Sequence, residues 1–505
     1  MNISNAITTV ITISLFLVSI LTILSIFASL QSSSFMIEAY SQSEYEMIMD
    51  NIVNKYENNK NNSNNEQNAL KPTQPVDNNV YVVWEDVQRT DDNHRDNEIF
   101  LSISNDTGQN FGTQINLSNN TRDSHIPQIL SEKNMVFVVW VDSSPGGNNI
   151  FFTASNDTGQ TFSTQKKLSN NIGYSYNPQL STAGNNVYVV WQGYTDNIVD
   201  DIFFTASNDN GQNFSSPINL SNDTAISSNP QLSTAGNNVY VVWQDYTYNT
   251  THYTFNIFFT PSNDTGETFT TPKKLSNNIG YSSDPQISIK GNNVYVVWQN
   301  VAYNNPNSFP AYIYFTASND NGQNFSPPKK LNNHVSILSS PQILTVENNV
   351  YVVWDQDIAD SAEIFFTASN DNGQNFSIPI NISNDSELSG APQISSEGNK
   401  LYVIWSEEIL DDTYNIFFTA SNDTGQTFST PKKLSNNIGY SYNPQLSTAG
   451  NNVYVVWQNK VESSSSIPEI FFTASNDTGE TFSTPINLSN NTEYSIYPQV
   501  SSSSS

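Results

Sequence analysis

From residue 78 onward the chain alternates short apolar runs with polar turns, and the alternation repeats in a fixed order. In one copy the run "NVYVVW" (Asn186 to Trp191) is followed by "IFFTAS" (Ile202 to Ser207). Both are short, rich in β-branched and aromatic residues and bounded by turn formers, which predicts strands. Their apolar character is nearly unbroken, so burial on both faces is expected. Two weaker candidates flank them: "PQLSTAGN" (Pro178 to Asn185), and the more polar "QNFSSPINLS" (Gln212 to Ser221), whose Pro217 suits a sheet edge. Each unit therefore reads as four antiparallel strands. All eight tryptophans (Trp84, Trp140, Trp191, Trp243, Trp298, Trp354, Trp405 and Trp457) end the second strand of a unit, which marks them as packing residues.

Between the third and fourth strands stands S-N-D-[TN]-G-[QE]-[TN]-F, with its aspartate at Asp106, Asp157, Asp209, Asp264, Asp320, Asp371, Asp423 and Asp477. The spacing of 51 to 56 residues is that of a repeat architecture. Four such strands cannot bury both faces of their middle pair alone, whereas radial stacking against neighbours does so. The expected fold is all-β: an eight-bladed β-propeller of four-stranded antiparallel blades over residues 78–501. The first unit lacks a first strand, and the chain ends in "YPQVSSSSS", a first strand with no successor. Pro498 to Val500 is expected to complete the blade begun at Val80, closing the ring and removing its edges.

The repeated phrase resembles the Asp-box, or bacterial neuraminidase repeat, S-x-D-x-G-x-x-F. All eight copies match, and the resemblance covers about residues 78–500. It implies a propeller of the sialidase-like superfamily, with the boxes on the face opposite the active site. The residues themselves read as a hairpin: glycine supplies a positive φ, the aspartate accepts hydrogen bonds from the turn, the serine adds another, and the aromatic covers the turn. The eight aspartates are thus structural. Calcium on Asp157 and its equivalents is the functional alternative, but a lone carboxylate offers too few oxygen ligands, so no metal or cofactor is expected.

Sialidases of that family hold a substrate carboxylate with three arginines from different blades, beside an aspartate acid/base and a tyrosine paired with glutamate. This chain has only Arg89, Arg95 and Arg122, all near its start, and His125-Ile126-Pro127 stands where the family has R-I-P. The family usually has six blades; eight are counted here. Residues 151–192 and 417–458 are identical except for Gln165 against Pro431, which suits a multivalent or architectural surface better than one asymmetric active site. The reading is a binding module for glycans or surface proteins. The alternatives are a sialidase-like exo-glycoside hydrolase, using paired carboxylates, and a structural envelope protein.

The units differ most between strands two and three, where function tends to sit on a rigid scaffold. Candidate ligand-binding residues are Arg89, Arg122, Tyr174, Tyr176, Tyr194, Tyr246, Tyr303, Tyr440 and Tyr442, with Tyr248 and Tyr414 alongside. Asp86, Asp142, Asp245, Asp355 and Glu407, just after the tryptophans, are expected either to bond a ligand or to form a solvated acidic rim. Asp91, Asp92, His94 and Asp96 are read as a hydrated loop in preference to a metal site.

Composition narrows the partners. The net charge of −29, with 18 basic residues in 505, repels phosphate backbones and excludes nucleic acid. Without cysteine, stability rests on burial and hydrogen bonds. Ala6 to Leu30 carries no charge, so residues 1–41 read as a signal peptide or membrane anchor, and the Asn-rich residues 42–77 as a tether. An extracellular or cell-surface monomer is expected, touching membrane only through its N-terminal segment.

Overall fold

The computed structural model describes residues 79–503 apart from 92–93, 145–146, 171, 195–198, 249–252, 277–279, 303–310, 333–340, 359–360, 385–386, 411–412, 436–438, 461–466 and 492. The chain divides into Met1–Glu57 and Asn58–Ser505, and every described residue belongs to the second unit. The expected signal or anchor and the Asn-rich tether lie outside the described residues.

Every regular element among the described residues is a strand. They form four-stranded antiparallel sets. The third is typical: Tyr174–Ala183 pairs with Asn186–Tyr194, which pairs with Asp200–Ser207, which pairs with the two-residue strand Ile218–Asn219. The same order recurs from one set to the next. Single parallel contacts, Phe255 with Tyr281 and Ala362 with Leu388, join the fourth set to the fifth and the sixth to the seventh. The first set is completed from the far end of the chain: Tyr494–Ser502 lies against Val80–Asp91, with Val82 opposite Val500 and Val87 opposite Tyr494. Val80 itself faces Ser502, so the register is set two residues beyond an alignment of Val80 with Val500.

The nearly unbroken apolar second strand is explained by two neighbours. Because side chains alternate across a strand, Tyr188 and Val190 pack with Val239, Val241 and Trp243 of the next set, while Val187, Val189 and Trp191 pack with Val139, Val141 and Phe152 of the preceding one. Each set thus shares one core with each neighbour. The last core brings Val80, Val82 and Trp84 of the first set against Tyr454, Val456 and Phe472 of the eighth. All eight tryptophans are fully buried, each worth about 3 kcal/mol. Each also stacks on a third-strand aromatic of its own sheet, as Trp191 does on Phe203 at 6.1 Å.

The innermost strands carry an irregularity that the sequence hides. At X-Pro-Gln the ladder skips, for example between Tyr176 and Gln179, and the residue before proline takes a positive φ: Ile126, Asn177, Asn229, Asp284, Ala391, Asn443 and Tyr497, all at 51° to 55°. Proline donates no ladder hydrogen bond, so the skip is where it belongs. Asn and Asp tolerate this backbone; β-branched Ile126 does so only under strain.

Candidate functional site

Each sheet has two ends. At one lie the box hairpins of sequence S-N-D-[TN]-G; at the other lie the starts of the first and third strands and the end of the second. In the box of the third sheet, Asp209 Oδ1 accepts from Ser207 Oγ (2.7 Å) and the Asn213 amide (2.8 Å), and Oδ2 accepts from Asn213 Nδ2 (2.7 Å). Ser207 Oγ also accepts from Gly211 N at 2.9 Å. At Asp157 the two oxygens are likewise taken by Ser155 and Thr161. At both boxes the carboxylate oxygens bond within the turn.

The box does more than turn the chain. A Cβ on Gly211 would meet Phe152 Cζ of the preceding sheet at 2.5 Å, and the box aromatic Phe214 stands edge-on to the same Phe152 ring at 4.9 Å. Gly266 meets Phe204, Gly322 meets Phe259, Gly425 meets Phe366 and Gly479 meets Phe418 in the same way. The motif's aromatic was expected to cover its own hairpin. Glycine and aromatic together also seat a ring from the neighbouring sheet, so the box is an inter-sheet joint as well. The signal for this was present, since most boxes are preceded by the third-strand aromatic of the unit before; the exceptions are the second box, whose Gly159 faces Ile103, and the first, whose Gly108 faces Phe472 from the far end of the chain.

The opposite end carries the aromatic candidates. Tyr174, 43% exposed, stacks on Tyr194 with centroids 5.0 Å apart and planes at 18°. Tyr246 leans on Phe255 (4.7 Å), whose ring meets Tyr281 edge-on (5.2 Å). Tyr414 stacks on Tyr440 at 6.0 Å, and Tyr414 Oη donates to Glu408 Oε2 at 2.8 Å. Ile226, Leu388 and Ile358 are exposed at the same end. Tyr176 and Tyr442 turn inward: Gln192 Nε2 donates to Tyr176 Oη (3.2 Å) and Gln458 Nε2 to Tyr442 Oη (3.1 Å). Burial, then the Asp200 carboxylate, pushes the Tyr176 hydroxyl far above its ordinary range, so it stays neutral. Tyr303 lies outside the described residues, as do the side chains of Arg89, Asp91, His94 and Tyr248; the backbone pairs Arg89 with Arg95 across their hairpin.

The acids after the tryptophans form no rim. Asp86, Asp142, Asp245, Asp355 and Glu407 are all at most 5% exposed, packed between sheets. Sequence distance from the strand core suggested solvent, but the neighbouring sheet covers them. Arg122 Nη1 lies 3.5 Å from Asp142 Oδ1. His125 Nδ1 is 2.9 Å from Glu85 Oε1, which also accepts from Asn97 Nδ2 at 2.7 Å, and Glu85 Oε2 accepts from Ile126 N at 3.3 Å. Burial lowers the His125 pKa, but the Glu85 charge and hydrogen bond outweigh it, and the imidazole ends above its usual value. Elsewhere a neutral glutamine plays the part of Glu85: Gln244 Oε1 accepts from Asp284 N (3.0 Å) and Gln458 Oε1 from Tyr497 N (3.3 Å). His125 and Arg122 each lie against a carboxylate of their own protein, a poor arrangement for clasping an anionic ligand.

No family model matches the chain. No curated protein matches it either. Among solved structures it is similar to a PL25 ulvan lyase bound to -[GlcA(1-4)Rha3S]-, at 12% identity and TM-score 0.43 over 65% of this chain and 88% of that one. It is also similar to a Trypanosoma rangeli sialidase in complex with sialic acid, at 14% identity and TM-score 0.34 over 62% and 55% of the two chains. A third is a Penicillium chrysogenum α-L-arabinanase complexed with arabinobiose, at 15% identity and TM-score 0.38 over 56% and 88%. Likeness at this level does not extend to activity or to residue roles.

Proposed function

We propose that the eight four-stranded sets form a closed eight-bladed β-propeller, exported to the cell surface or beyond, whose face opposite the Asp-boxes binds glycans. Support for the ring comes from the pairing of Tyr494–Ser502 with Val80–Asp91 and from the shared core between the first and eighth sets. Support for export comes from the uncharged stretch Ala6 to Leu30. The glycan reading is carried by one observation: stacked, partly exposed aromatic pairs recur at one end of the sheets, Tyr174 on Tyr194 and Tyr414 on Tyr440, with the Tyr246, Phe255 and Tyr281 cluster between them in sequence. Such rings offer apolar faces to pyranose C–H surfaces while their hydroxyls bond sugar oxygens. The net charge of −29 favours neutral glycans over acidic ones.

A glycan array with the full chain tests this. Binding is expected, and Tyr174→Ala together with Tyr194→Ala should weaken it at least tenfold without changing the melting temperature. Turnover of an arrayed glycan, abolished by Arg122→Ala, would replace the reading with a glycoside hydrolase. An empty array with abundance in purified envelopes would replace it with a structural protein.

A further inference from the structure

We propose that two of the joints between neighbouring sheets, those at Asp86 and Asp245, are proton-binding sites, at which a buried carboxyl group near the acids of the adjacent sheet holds a proton and couples sheet packing to pH. Two positions meet at each joint: the residue two after the tryptophan, and the residue before the isoleucine of the preceding sheet's third strand. Acids fill both in four joints: Asp86 with Glu469, Asp142 with Glu98, Asp245 with Asp201, and Glu407 with Glu363. The other four joints are uncharged on both sides, with Gly193 and Asn149, Asn300 and Asn256, Gln356 and Tyr312, and Asn459 and Asn415.

The acids are buried, except that Glu469 is half-buried. Between Glu98 and Asp142 stands Asn120, whose N–H donates to Glu98 Oε1 (2.9 Å) and whose Nδ2 donates to Asp142 Oδ2 (2.8 Å); Asp96, Ser118, Ser124 and Arg122 also face this pair. Asn491 repeats the bridge, with Nδ2 donating to Asp86 Oδ2 at 2.5 Å and its backbone bonding Glu469; Glu493 and Trp84 face Asp86 as well. At the joint of the third and fourth sheets the bridging position is Asp223, so a third carboxylate replaces the amide. There Asp245 Oδ1 accepts from Trp243 Nε1 at 2.7 Å, with Ser227 alongside, while Asp201 accepts from Ser221 and Asn219. At the joint of the sixth and seventh, Glu407 accepts from Trp405 and Ser389, and Glu363 from Ser383. Asp86 Oδ1 and Asp245 Oδ2 are buried with no hydrogen-bond partner. A buried carboxylate oxygen without a donor, with further carboxylates nearby, is where a proton lowers the energy.

Burial pushes Asp245 up to about 7 and Asp86 up to about 6, and raises Glu98, Glu469 and Asp223. The folded chain then holds protons that the unfolded chain has lost. The contribution is full below the ordinary carboxylate range and disappears as pH rises through about 6 to 7.

Thermal unfolding of the full chain between about pH 5 and about pH 8, with EDTA or with calcium chloride, tests the proposal. Wild type should melt several degrees lower at the alkaline end in both additives, and Asp245→Asn and Asp86→Asn should each flatten that decline. An unchanged decline in both variants would overturn the proposal, and so would its removal in wild type by calcium alone. Should the variants not fold, infrared spectroscopy of wild type decides: a protonated carboxylic-acid band at about pH 6 supports proton binding, and its absence overturns it.

Discussion

The ring of Phe472, in the last set of strands, fills the space over Gly108, in the first: a Cβ on Gly108 would lie 2.7 Å from Phe472 Cζ. The box aromatic Phe111 meets the same ring edge-on at 4.8 Å. The joint made inside the chain by Gly211 and Phe152 is thus repeated between its two ends.

Glycines at these joints should be far less replaceable than glycines elsewhere. Gly211→Ala combines a positive φ with a ring collision and should cost about 2–4 kcal/mol. Gly236 also has a positive φ but nothing within 4 Å, so Gly236→Ala should cost about 1 kcal/mol. Denaturant melts of the two variants compare them directly, and equal losses would remove the joint from the account.

Asp209→Ala removes the acceptor for Ser207 and Asn213 and should lower stability by about 1–2 kcal/mol. Glycan affinity of the folded variant should not change, since the box lies at the other end of the sheet. A selective loss of binding at unchanged melting temperature would make the box functional.

Thr265→Asn should stabilise the protein. Tyr240 Oη donates to Asn321 Oδ1 (3.1 Å) and Tyr295 Oη to Asn372 Oδ1 (3.2 Å), each in the following box. Tyr188, whose following box has Thr265 at the corresponding position, has a buried hydroxyl that finds no such acceptor there. Asparagine also suits the φ of 61° better than a β-branched residue. A gain of about 1 kcal/mol is expected in urea melts; no gain would show that the asparagine bonds are interchangeable with water.

The C-terminal strand should hold the first sheet together. Cysteines at Val82 and Val500, directly opposed and both buried, should oxidise to an intramolecular disulfide in a chain with no cysteine of its own. Deleting residues 494–505 should cause aggregation or a large fall in melting temperature, because it exposes an unpaired edge. A truncated protein that melts like the full one would overturn the proposed ring.

Acid should act through the boxes. Ser207 first, then Asn213, holds the Asp209 carboxyl down at about 2, and Ser318 first, then Asn324, holds Asp320 there. The folded state binds these protons less readily than the unfolded state, so their stabilisation is present above the ordinary carboxylate range and lost as pH falls toward about 2. With the inter-sheet acids acting in the opposite sense, the melting temperature should peak in mildly acidic solution; a scan that peaks at alkaline pH would contradict the part given to the inter-sheet acids, and one still rising as pH falls to about 2 the part given to the boxes.

Much of this architecture was legible in one dimension. Strand order within a unit, the hairpin chemistry of S-N-D-T-G and the shared role of the eight tryptophans follow from local pattern, because period-2 burial and turn geometry involve residues close in sequence. The unpaired first strand at the C-terminus could be matched to Val80 by counting units. Only the tertiary structure decided what the units do to one another. It set Val82 against Val500, seated Phe152 over Gly211, and moved Asp86 and Asp245 from an expected rim into joints between sheets. It also divided the tyrosines, with Tyr174 outward in a stack and Tyr176 tied inward to Gln192. All but the division of the tyrosines depend on a neighbour in another unit of the chain. The burial such a neighbour imposes is a property of packing between sheets, which the pattern within a unit does not encode.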